Sequence, residues 1–236
     1  DGLANITDWE VKLGIVDLEG ELDSPGSQQD RLIQSLYKHP NFRPNGIVLY
    51  GHGLIYESWD IALLKLDRAV RLSKTVSPIC LQDIAHDHEM DCFVSGWGKI
   101  TKDSPGARFA HAAVVRTMSA SHCNASFEGL EDDHQAKLYF SRIDDTILCV
   151  QIGSAGEDSC QGDSGGPLMC EREGRWHQAG IVSAGYECGS PGVPTIYTRV
   201  SQFVDWIKTT MAEGSHDKAE TERESGSGSS GTRSHF

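Results

Sequence analysis

Gly162-Asp163-Ser164-Gly165-Gly166-Pro167 is the most informative segment of the chain, because it places a serine in a tight, glycine-rich turn just before an apolar segment, Leu168-Met169-Cys170. A serine hydroxyl is a poor nucleophile on its own. It needs a base to take its proton and backbone N–H groups to hold the oxyanion that forms. Glycines let such N–H groups converge. The segment therefore predicts that Ser164 is a nucleophile.

Composition limits the kind of protein that this chain can form. With 236 residues, 38% of them hydrophobic, it can bury a sizeable core as one all-β domain or two small barrels. The formal net charge of −13 argues against non-specific binding to nucleic acid or anionic membrane, because both need clustered Lys and Arg. No apolar run approaches the length that crosses a bilayer. We therefore expect neither a nucleic-acid partner nor a membrane span.

Short strand signals separated by Gly, Pro, Asn and Asp turns recur along the chain, and this pattern predicts a barrel or a sandwich. The predicted strands cover residues 9–16, 31–38, 61–66, 92–97, 112–118, 146–150, 167–170, 178–184 and 194–200. A single clear helix follows from a Ser201 N-cap. Its apolar face consists of Phe203, Val204, Ile207 and Met211.

The composition changes after Met211, where Glu, Ser, Gly, Lys and His dominate. Residues 225–231 read Ser-Gly-Ser-Gly-Ser-Ser-Gly and contain no apolar side chain to bury. We therefore expect residues 212–236 to form a disordered polar tail. A linker to a further domain is the alternative.

The seven cysteines indicate an oxidising compartment. No Cys-x-x-Cys pair is present, which favours disulfides over zinc. Sequons at Asn5 and Asn124 point the same way, so we expect a secreted, extracellular glycoprotein. The chain has no signal peptide and starts with Asp1, and we expect a processed product or a fragment.

A second segment supplies a carboxylate that suits the serine turn. In Trp59-Asp60-Ile61-Ala62-Leu63-Leu64-Lys65-Leu66, Asp60 stands at the head of an apolar run, where a buried acid can orient a histidine. Ser95-Gly96-Trp97-Gly98 and Tyr197-Thr198-Arg199-Val200 occur in the expected order. With these motifs, residues 1–211 resemble the catalytic domain of the chymotrypsin-like and trypsin-like serine endopeptidases. The alternative is a surface turn and an ordinary strand cap.

The resemblance implies an all-β fold of two six-stranded antiparallel barrels, with the active site in the cleft between them and a C-terminal helix. Here we expect the first barrel to be incomplete. The Ala-Ala-His-Cys segment that carries the base in this family does not occur in the sequence. We therefore expect an N-terminally truncated catalytic domain whose missing segment another chain supplies.

The resemblance also assigns the catalytic roles. Ser164 matches the family's nucleophile, Asp60 matches the acid that orients the histidine, and the N–H groups of Gly162 and Ser164 would form the oxyanion hole. Without the base, only the oxyanion hole and substrate binding contribute, so we expect this chain alone to be inactive. His52 is the histidine nearest to Asp60 in sequence, but a solvated loop histidine is the favoured interpretation.

Asp163 resembles the carboxylate that pairs with the new N-terminal amine after zymogen cleavage in this family. That ion pair orders the oxyanion hole and the specificity pocket. Asp1 is not the Ile or Val whose amine inserts there. Because a buried carboxylate without a cation is costly, we expect a zymogen-like pocket unless another chain provides the amine.

Asp158 and Ser159 resemble the base of a trypsin-type pocket, which implies cleavage after Arg or Lys. The expected walls are Ser183, Ala184, Gly185 and Thr195. Ala184 stands where the family usually has tryptophan, which thins an apolar wall. Thr195 stands where the family usually has glycine, and its side chain would intrude on the pocket. A preference for small residues is the competing expectation, and a surface acid is the alternative for Asp158.

The resemblance implies three disulfides, Cys92–Cys170, Cys123–Cys149 and Cys160–Cys188. Cys80 is left over. In relatives a cysteine near this point reaches a propeptide or a light chain, so we expect an interchain disulfide. A buried free thiol is the alternative.

One acidic loop could suit calcium, because carboxylates are hard oxygen ligands. The loop carries Asp17, Glu19, Glu21 and Asp23. Ile15 stands near where a ligand carboxylate is expected, so we favour a solvated charged loop. We expect no metal and no cofactor.

The leading hypothesis is an extracellular serine endopeptidase that acts on protein or peptide substrates. The competing hypothesis is a non-catalytic protease homologue that binds a partner, and Ala184 and Thr195 favour it because nothing would then maintain the pocket. Ser164 and Asp158 stand in full motifs and favour the protease. A cysteine-rich structural domain of unrelated fold is a third possibility.

Overall fold

A small antiparallel sheet and a closed barrel form the fold. The computed structural model describes residues 6–21, 23–42, 59–81, 89–101, 103–129, 143–152, 158–185, 188–189 and 192–226. The small sheet contains β1 (Glu10–Leu13), β2 (Gln29–Lys38) and β3 (Ala62–Leu66). The barrel contains β4 (Asp91–Gly96), β5 (His111–Thr117), β6 (Ile147–Gln151), β7 (Pro167–Arg172), β8 (Arg175–Ala184) and β9 (Thr195–Arg199). The α-helices are α1 (Ala120–Glu128) and α2 (Val204–Gly226), and 3₁₀ turns cover Ile6–Asp8 and Val200–Phe203.

The barrel strands follow the order β4-β5-β6-β9-β8-β7, with antiparallel pairing throughout. β4 and β7 close the barrel, where Phe93 pairs with Met169 and Val94 with Leu168. Closure leaves no strand edge open. The buried core includes Val94, Val115, Leu148, Leu168 and Tyr197. The expectation of a mostly β fold with a closed six-stranded barrel and a C-terminal helix is confirmed.

The first barrel implied by the resemblance has a different form in the described residues. They give a three-stranded antiparallel sheet in the order β1-β2-β3. The prediction of two six-stranded barrels is therefore not confirmed.

An apolar cluster joins the small sheet, the barrel and α2. Ile61, Val200, Phe203 and Ile207 are buried together, and side chains from β3 and β8 pack against them. Each such side chain stabilises the fold by about 1.5–3 kcal/mol when it is fully buried. Because Ile61 directly follows Asp60, burial of Ile61 in this cluster fixes the backbone position of Asp60.

The structure has two α-helices, where the sequence predicts one. α1 places only Cys123 and Phe127 in the core, one turn apart, which is too short a pattern to reveal a helix. Its start is marked by the Ser119 hydroxyl, which accepts from the His122 N–H at 3.2 Å. Ser201 lies inside a 3₁₀ turn and is not the N-cap of α2, which begins at Val204.

The sequence predicts disorder from residue 212 onward, whereas residues 212–226 continue α2 in the structure. A polar composition excludes burial, but Ala, Glu, Lys and Arg are strong helix formers. The Lys65 ammonium also donates to the Gly214 carbonyl, which ties the helix to β3. Residues 227–236 lie outside the described residues.

Candidate active site

The candidate nucleophile, Ser164, lies in a turn that depends on its glycines. Gly162 and Gly165 have φ values of 101° and 82°, a left-handed conformation that favours glycine. A Cβ on Gly166 would lie 2.8 Å from the Asp163 carbonyl oxygen. The Gly166 N–H donates to that oxygen at 2.8 Å. Ser164 is exposed at the top of this turn, as a nucleophile must be to reach a substrate.

The candidate acid, Asp60, is held by hydrogen bonds from two barrel strands. The Ser183 hydroxyl donates to Asp60 Oδ2 at 2.8 Å, and the Thr198 hydroxyl donates to the Asp60 carbonyl oxygen at 2.7 Å. Burial raises the pKa of Asp60, and the Ser183 hydrogen bond opposes that rise. The main chain and the side chain of Asp60 are therefore both fixed against the barrel.

Strand β8 brings the serine turn and the acid to the same place. The Gly165 N–H, next to Ser164, donates to the Val182 carbonyl at 2.8 Å. The next residue of the strand, Ser183, donates its hydroxyl to Asp60. Consecutive residues of β8 therefore bind the residue after Ser164 and the carboxylate of Asp60.

Trp59 and Thr198 contribute to the site although the sequence analysis gave them no role. Trp59 has a φ of 73°, which is strained for a bulky residue, and its carbonyl accepts from the Ile61 N–H at 2.8 Å. Its ring stacks on His39 at 4.7 Å. This packing holds the bend that presents Asp60. Trp59 stands directly before Asp60, and Thr198 lies in the motif Tyr197-Thr198-Arg199-Val200. Their places in these motifs could have indicated a role in the site.

The Asp163 carboxylate is bound by backbone N–H groups from two other segments of the chain. Its Oδ1 accepts from the Gly98 N–H at 2.8 Å, and its Oδ2 accepts from the Cys160 N–H at 3.0 Å. A Cβ on Gly98 would lie 2.6 Å from Asp163 Oδ1, so this close approach requires glycine. Among the described residues, no cation pairs with Asp163. The carboxylate lines a cavity of about 240 Å³.

The same cavity contains groups of both charges. Its lining includes Asp158, Lys99 and His111 beside Asp163. The motif Ser95-Gly96-Trp97-Gly98 forms one wall through its serine and both glycines. Asp158 and Asp163 therefore line one cavity, together with Lys99 and His111.

Asp158 is surrounded by donors from the protein. Its Oδ1 accepts from the Ser159 N–H at 2.8 Å, and its Oδ2 accepts from the Thr195 hydroxyl at 2.8 Å and from the Gly189 N–H at 3.4 Å. Burial raises the pKa of Asp158, and these hydrogen bonds oppose the rise. The hydroxyl of Ser159 accepts from the buried Tyr197 at 2.9 Å.

Three walls expected for the pocket lie at the end of β8. Ser183 and Ala184 are the last residues of that strand, and Gly185 follows it. Thr195 begins β9 and is 6% exposed. A Cβ on Gly185 would lie 3.5 Å from Thr195 Cγ2, so these two residues face each other. The structure therefore brings Asp158, Gly185 and Thr195 together.

The three disulfides are Cys92–Cys170, Cys123–Cys149 and Cys160–Cys188, the same pairs that the resemblance implies. Cys80 is a free, half-buried cysteine. Its N–H donates to the Trp176 carbonyl at 3.2 Å, and its carbonyl accepts from the Gln178 N–H at 3.0 Å. The segment that carries Cys80 is thus paired with β8.

The acidic loop differs from the solvated loop that we favoured. Arg108 binds the fully buried Asp17 side chain through two hydrogen bonds of 2.8 and 2.9 Å, and it also pairs with Glu19 and Glu21. These carboxylates raise the pKa of Arg108. The Asp23 side chain accepts from the Val16 N–H at 2.8 Å. No cluster of metal-ligating side chains occurs among the described residues.

Two predicted positions lie outside the described residues, namely Asn5 and His52. Asn124 is exposed on α1. Among the described helices, none combines the length and the apolar character that a membrane crossing requires.

Comparison with known proteins identifies one family. The sequence model of the family described as Trypsin matches residues 5–207. The chain is 34% identical over 212 residues to Serine protease 41 of Homo sapiens, covering 87% of this chain and 61% of that protein. It is 35% identical over 204 residues to Trypsin-1 of Astacus astacus, covering 85% of this chain and 77% of that protein.

A solved structure agrees with these matches. It is that of neuropsin, a serine protease expressed in the limbic system of mouse brain, which superimposes with a TM-score of 0.68 at 28% identity. The match covers 86% of this chain and 78% of the neuropsin chain. By contrast, the chain spans only about three fifths, 61%, of the length of Serine protease 41.

Proposed function

This chain belongs to the trypsin family of serine proteases, and on that basis we propose that it carries the nucleophile, the orienting acid and the oxyanion-binding turn of a serine endopeptidase. Its substrates are proteins or peptides. One observation carries the proposal: consecutive residues of β8 hold both reactive groups. Val182 accepts from the N–H beside Ser164, and Ser183 donates to Asp60.

The proposed reaction runs through an acyl-enzyme. Ser164 Oγ attacks the carbonyl carbon of the peptide bond while its proton passes to a histidine base. The N–H groups of Gly162 and Ser164 donate to the oxyanion. The base then protonates the leaving amine as the C–N bond breaks. Water, activated by the same base, hydrolyses the ester and restores the Ser164 hydroxyl.

Asp60 supports the base in this scheme. Its carboxylate accepts the imidazole N–H, selects the tautomer and stabilises the imidazolium that forms. The hydrogen bond from Ser183 favours the ionised carboxylate that this role needs, against the burial that disfavours it. The family's base motif, Ala-Ala-His-Cys, does not occur in residues 1–236, so we propose that this chain alone is inactive.

Asp163 is the proposed activation switch. It lies next to the nucleophile, and a cavity of about 240 Å³ opens beside its carboxylate. We propose that an N-terminal amine enters this cavity and pairs with Asp163. A charge-assisted hydrogen bond from an amine there would compete with the N–H groups of Gly98 and Cys160 that now hold it. The switch would therefore act directly on the oxyanion-binding turn.

We propose an extracellular setting for this reaction. Three disulfides suit an oxidising compartment. The free Cys80 is the proposed link to a second polypeptide segment, and the exposed Asn124 is a proposed glycosylation site, as is Asn5. The Asp158 carboxylate, taken by itself, favours a preference for Arg or Lys at the cleavage site.

A fluorophosphonate probe with imidazole as an added base tests the proposal. We expect slow labelling of the full chain without imidazole and faster labelling with it, mapped to Ser164 by mass spectrometry. Ser164→Ala should abolish the imidazole-dependent signal, while Ser183→Thr, which keeps a hydroxyl beside Asp60, serves as the matched control and should retain it. Labelling that never maps to Ser164 would overturn the proposal.

One observation favours the second candidate, a non-catalytic homologue that binds a partner. The Thr195 hydroxyl already occupies Asp158, so the pocket base is satisfied without a substrate. Under this alternative Ser164 has no reason to be reactive. The same probe therefore separates the two, because only the protease predicts Ser164 labelling that rises with imidazole.

A further inference from the structure

A second cavity, of about 260 Å³, lies between the small sheet and α2. We call it the α2 groove. Strands β2 and β3 form one of its walls, and the helix forms the other. The residues that define it include Tyr37, Leu63, Leu64, Lys65, Met211 and Gly214. None of the described residues that line the α2 groove is a candidate catalytic or specificity-pocket residue, so its role is independent of the proposed function.

Large apolar side chains are exposed on both walls of the α2 groove. Leu64 of β3 is 41% exposed, and Met211 of α2 is 62% exposed. The sequence predicts Met211 on the apolar face of the helix with Phe203 and Ile207. Those two residues are buried in the core, whereas Met211 lies beyond it. A ligand with an apolar part would remove the exposed surface from water, which favours binding.

Lys65 supplies the charge of the α2 groove. Among the described residues that line the groove, it alone is charged. Its ammonium donates to the Gly214 carbonyl. An ammonium has three N–H donors, so two remain for a ligand. Among the described residues, no carboxylate pairs with Lys65. The groove therefore joins an apolar wall to a cation that has no anionic partner within the described part of the chain.

The α2 groove is held open by two contacts at Gly214. A Cβ on Gly214 would lie 2.9 Å from the Tyr37 hydroxyl oxygen and 3.3 Å from its Cζ. Alanine is the better helix former, but only glycine lets the helix come this close to the ring. The Lys65 ammonium bonds the carbonyl of the same glycine. The helix is therefore fixed at a set distance from the sheet, and a cavity that exists before binding costs little to organise.

We propose that the α2 groove binds an organic carboxylate with an unbranched apolar tail, a ligand of the fatty-acid class. The tail lies against Leu64 and Met211, and the carboxylate accepts from the Lys65 ammonium. An organic cation would be repelled by Lys65, and a neutral ligand would leave the ammonium without an anionic partner. The net charge of −13 opposes non-specific binding of anions, so affinity for a carboxylate has to come from a local cation.

Titration of octanoate into the isotope-labelled full chain, followed by proton–nitrogen correlation spectra, tests this proposal without requiring catalysis. We expect saturable shift changes centred on the residues of β3 and α2 that line the groove. Each methylene added between butanoate and octanoate should tighten binding by about two- to fourfold, because burial of one methylene raises affinity by up to about fourfold.

Substitutions separate the contribution of the charge from that of the apolar wall. Lys65→Gln removes the charge, and we expect it to weaken octanoate binding about 5- to 10-fold while leaving octanol binding unchanged. Lys65→Arg keeps the charge and should retain the wild-type affinity. Lys74→Gln is the matched control, because it makes the same change of charge at an exposed lysine that does not line the groove. Leu64→Ala should weaken octanoate and octanol alike.

Three results would overturn the proposal. The first is a set of shift changes that spreads over the surface and does not saturate. The second is saturable binding centred on other residues, and the third is equal affinity of Lys65→Gln and the wild-type chain for octanoate. If Lys65→Gln does not keep the wild-type spectrum, Lys65→Arg and the series of chain lengths decide. Weak binding by a folded Lys65→Arg, or affinity that does not change with chain length, would contradict the proposal.

Discussion

Ser183→Ala removes a hydroxyl that donates to Asp60 Oδ2 at 2.8 Å. Burial raises the pKa of Asp60, and this hydrogen bond opposes the rise. A hydrogen bond to a charged group contributes about 1.5–3 kcal/mol. Because Asp60 is only half-buried, solvent screens the bond, and we expect the variant to lose about 1.5 kcal/mol of unfolding free energy at pH 7.

The size of this loss should depend on pH. The pKa of Asp60 in the folded protein lies above its unfolded value of about 3.9, so the folded state binds the proton more tightly. Stability therefore falls as the pH rises from about 3.9 toward the folded pKa. Ser183→Ala raises the folded pKa further and extends this window upward. Below it the carboxyl is protonated in both states, and the loss shrinks to that of a neutral hydrogen bond at a half-exposed site, about 0.5 kcal/mol.

Urea unfolding at about pH 3 and pH 7 measures both values. Asp60→Asn is the matched background, because it keeps the shape of the side chain and removes its charge. In that background we expect Ser183→Ala to cost the same at both pH values. The reasoning is refuted if Ser183→Ala costs equally much at about pH 3 and pH 7 in the chain that retains Asp60.

Three further predictions follow from other contacts. Arg108→Gln leaves the fully buried Asp17 carboxylate without its cation and should lower the urea midpoint of unfolding. Adding Asp17→Asn to that variant should restore part of the midpoint, and an unchanged midpoint in Arg108→Gln would contradict the pairing. Gly98→Ala places a Cβ 2.6 Å from Asp163 Oδ1 and should lower the free energy of unfolding in urea by about 1–3 kcal/mol. Adding Asp163→Ala should restore part of that free energy, and an unchanged free energy in Gly98→Ala would contradict the close contact. Burial lowers the pKa of His39, so the free energy of unfolding should fall as the pH drops below about 6.5. His39→Phe should reduce this dependence of the thermal midpoint on pH, and an equal dependence in both proteins would contradict the role of His39.

The sequence predicted the parts of this protein that depend on short motifs. The glycines around Ser164 predicted a tight turn, and the structure has φ values of 101° and 82° at Gly162 and Gly165. The barrel followed from short strand signals and turn residues. The barrel pairing came from the resemblance, since local patterns do not state which strands meet.

Contacts between distant segments could not be predicted from the sequence. Arg108 and Asp17 lie 91 positions apart, and no periodic pattern links them. The sequence therefore predicted a solvated acidic loop, whereas its first carboxylate, Asp17, is buried. The hydrogen bond between Thr195 and Asp158 spans 37 positions. The sequence indicated that Thr195 would intrude on the pocket, but only the structure shows its hydrogen bond to the Asp158 carboxylate. The extension of α2 through residues 212–226 was not predicted, because the polar composition of this segment was taken to exclude a helix as well as burial.

A crystal structure of the chain after fluorophosphonate treatment in imidazole would test the central claim most directly. The account predicts phosphorus bonded to Ser164 Oγ, with the phosphoryl oxygen accepting from the N–H groups of Gly162 and Ser164 at about 2.7–3.1 Å. Density for the adduct on another residue, or a phosphoryl oxygen turned away from both N–H groups, would contradict it.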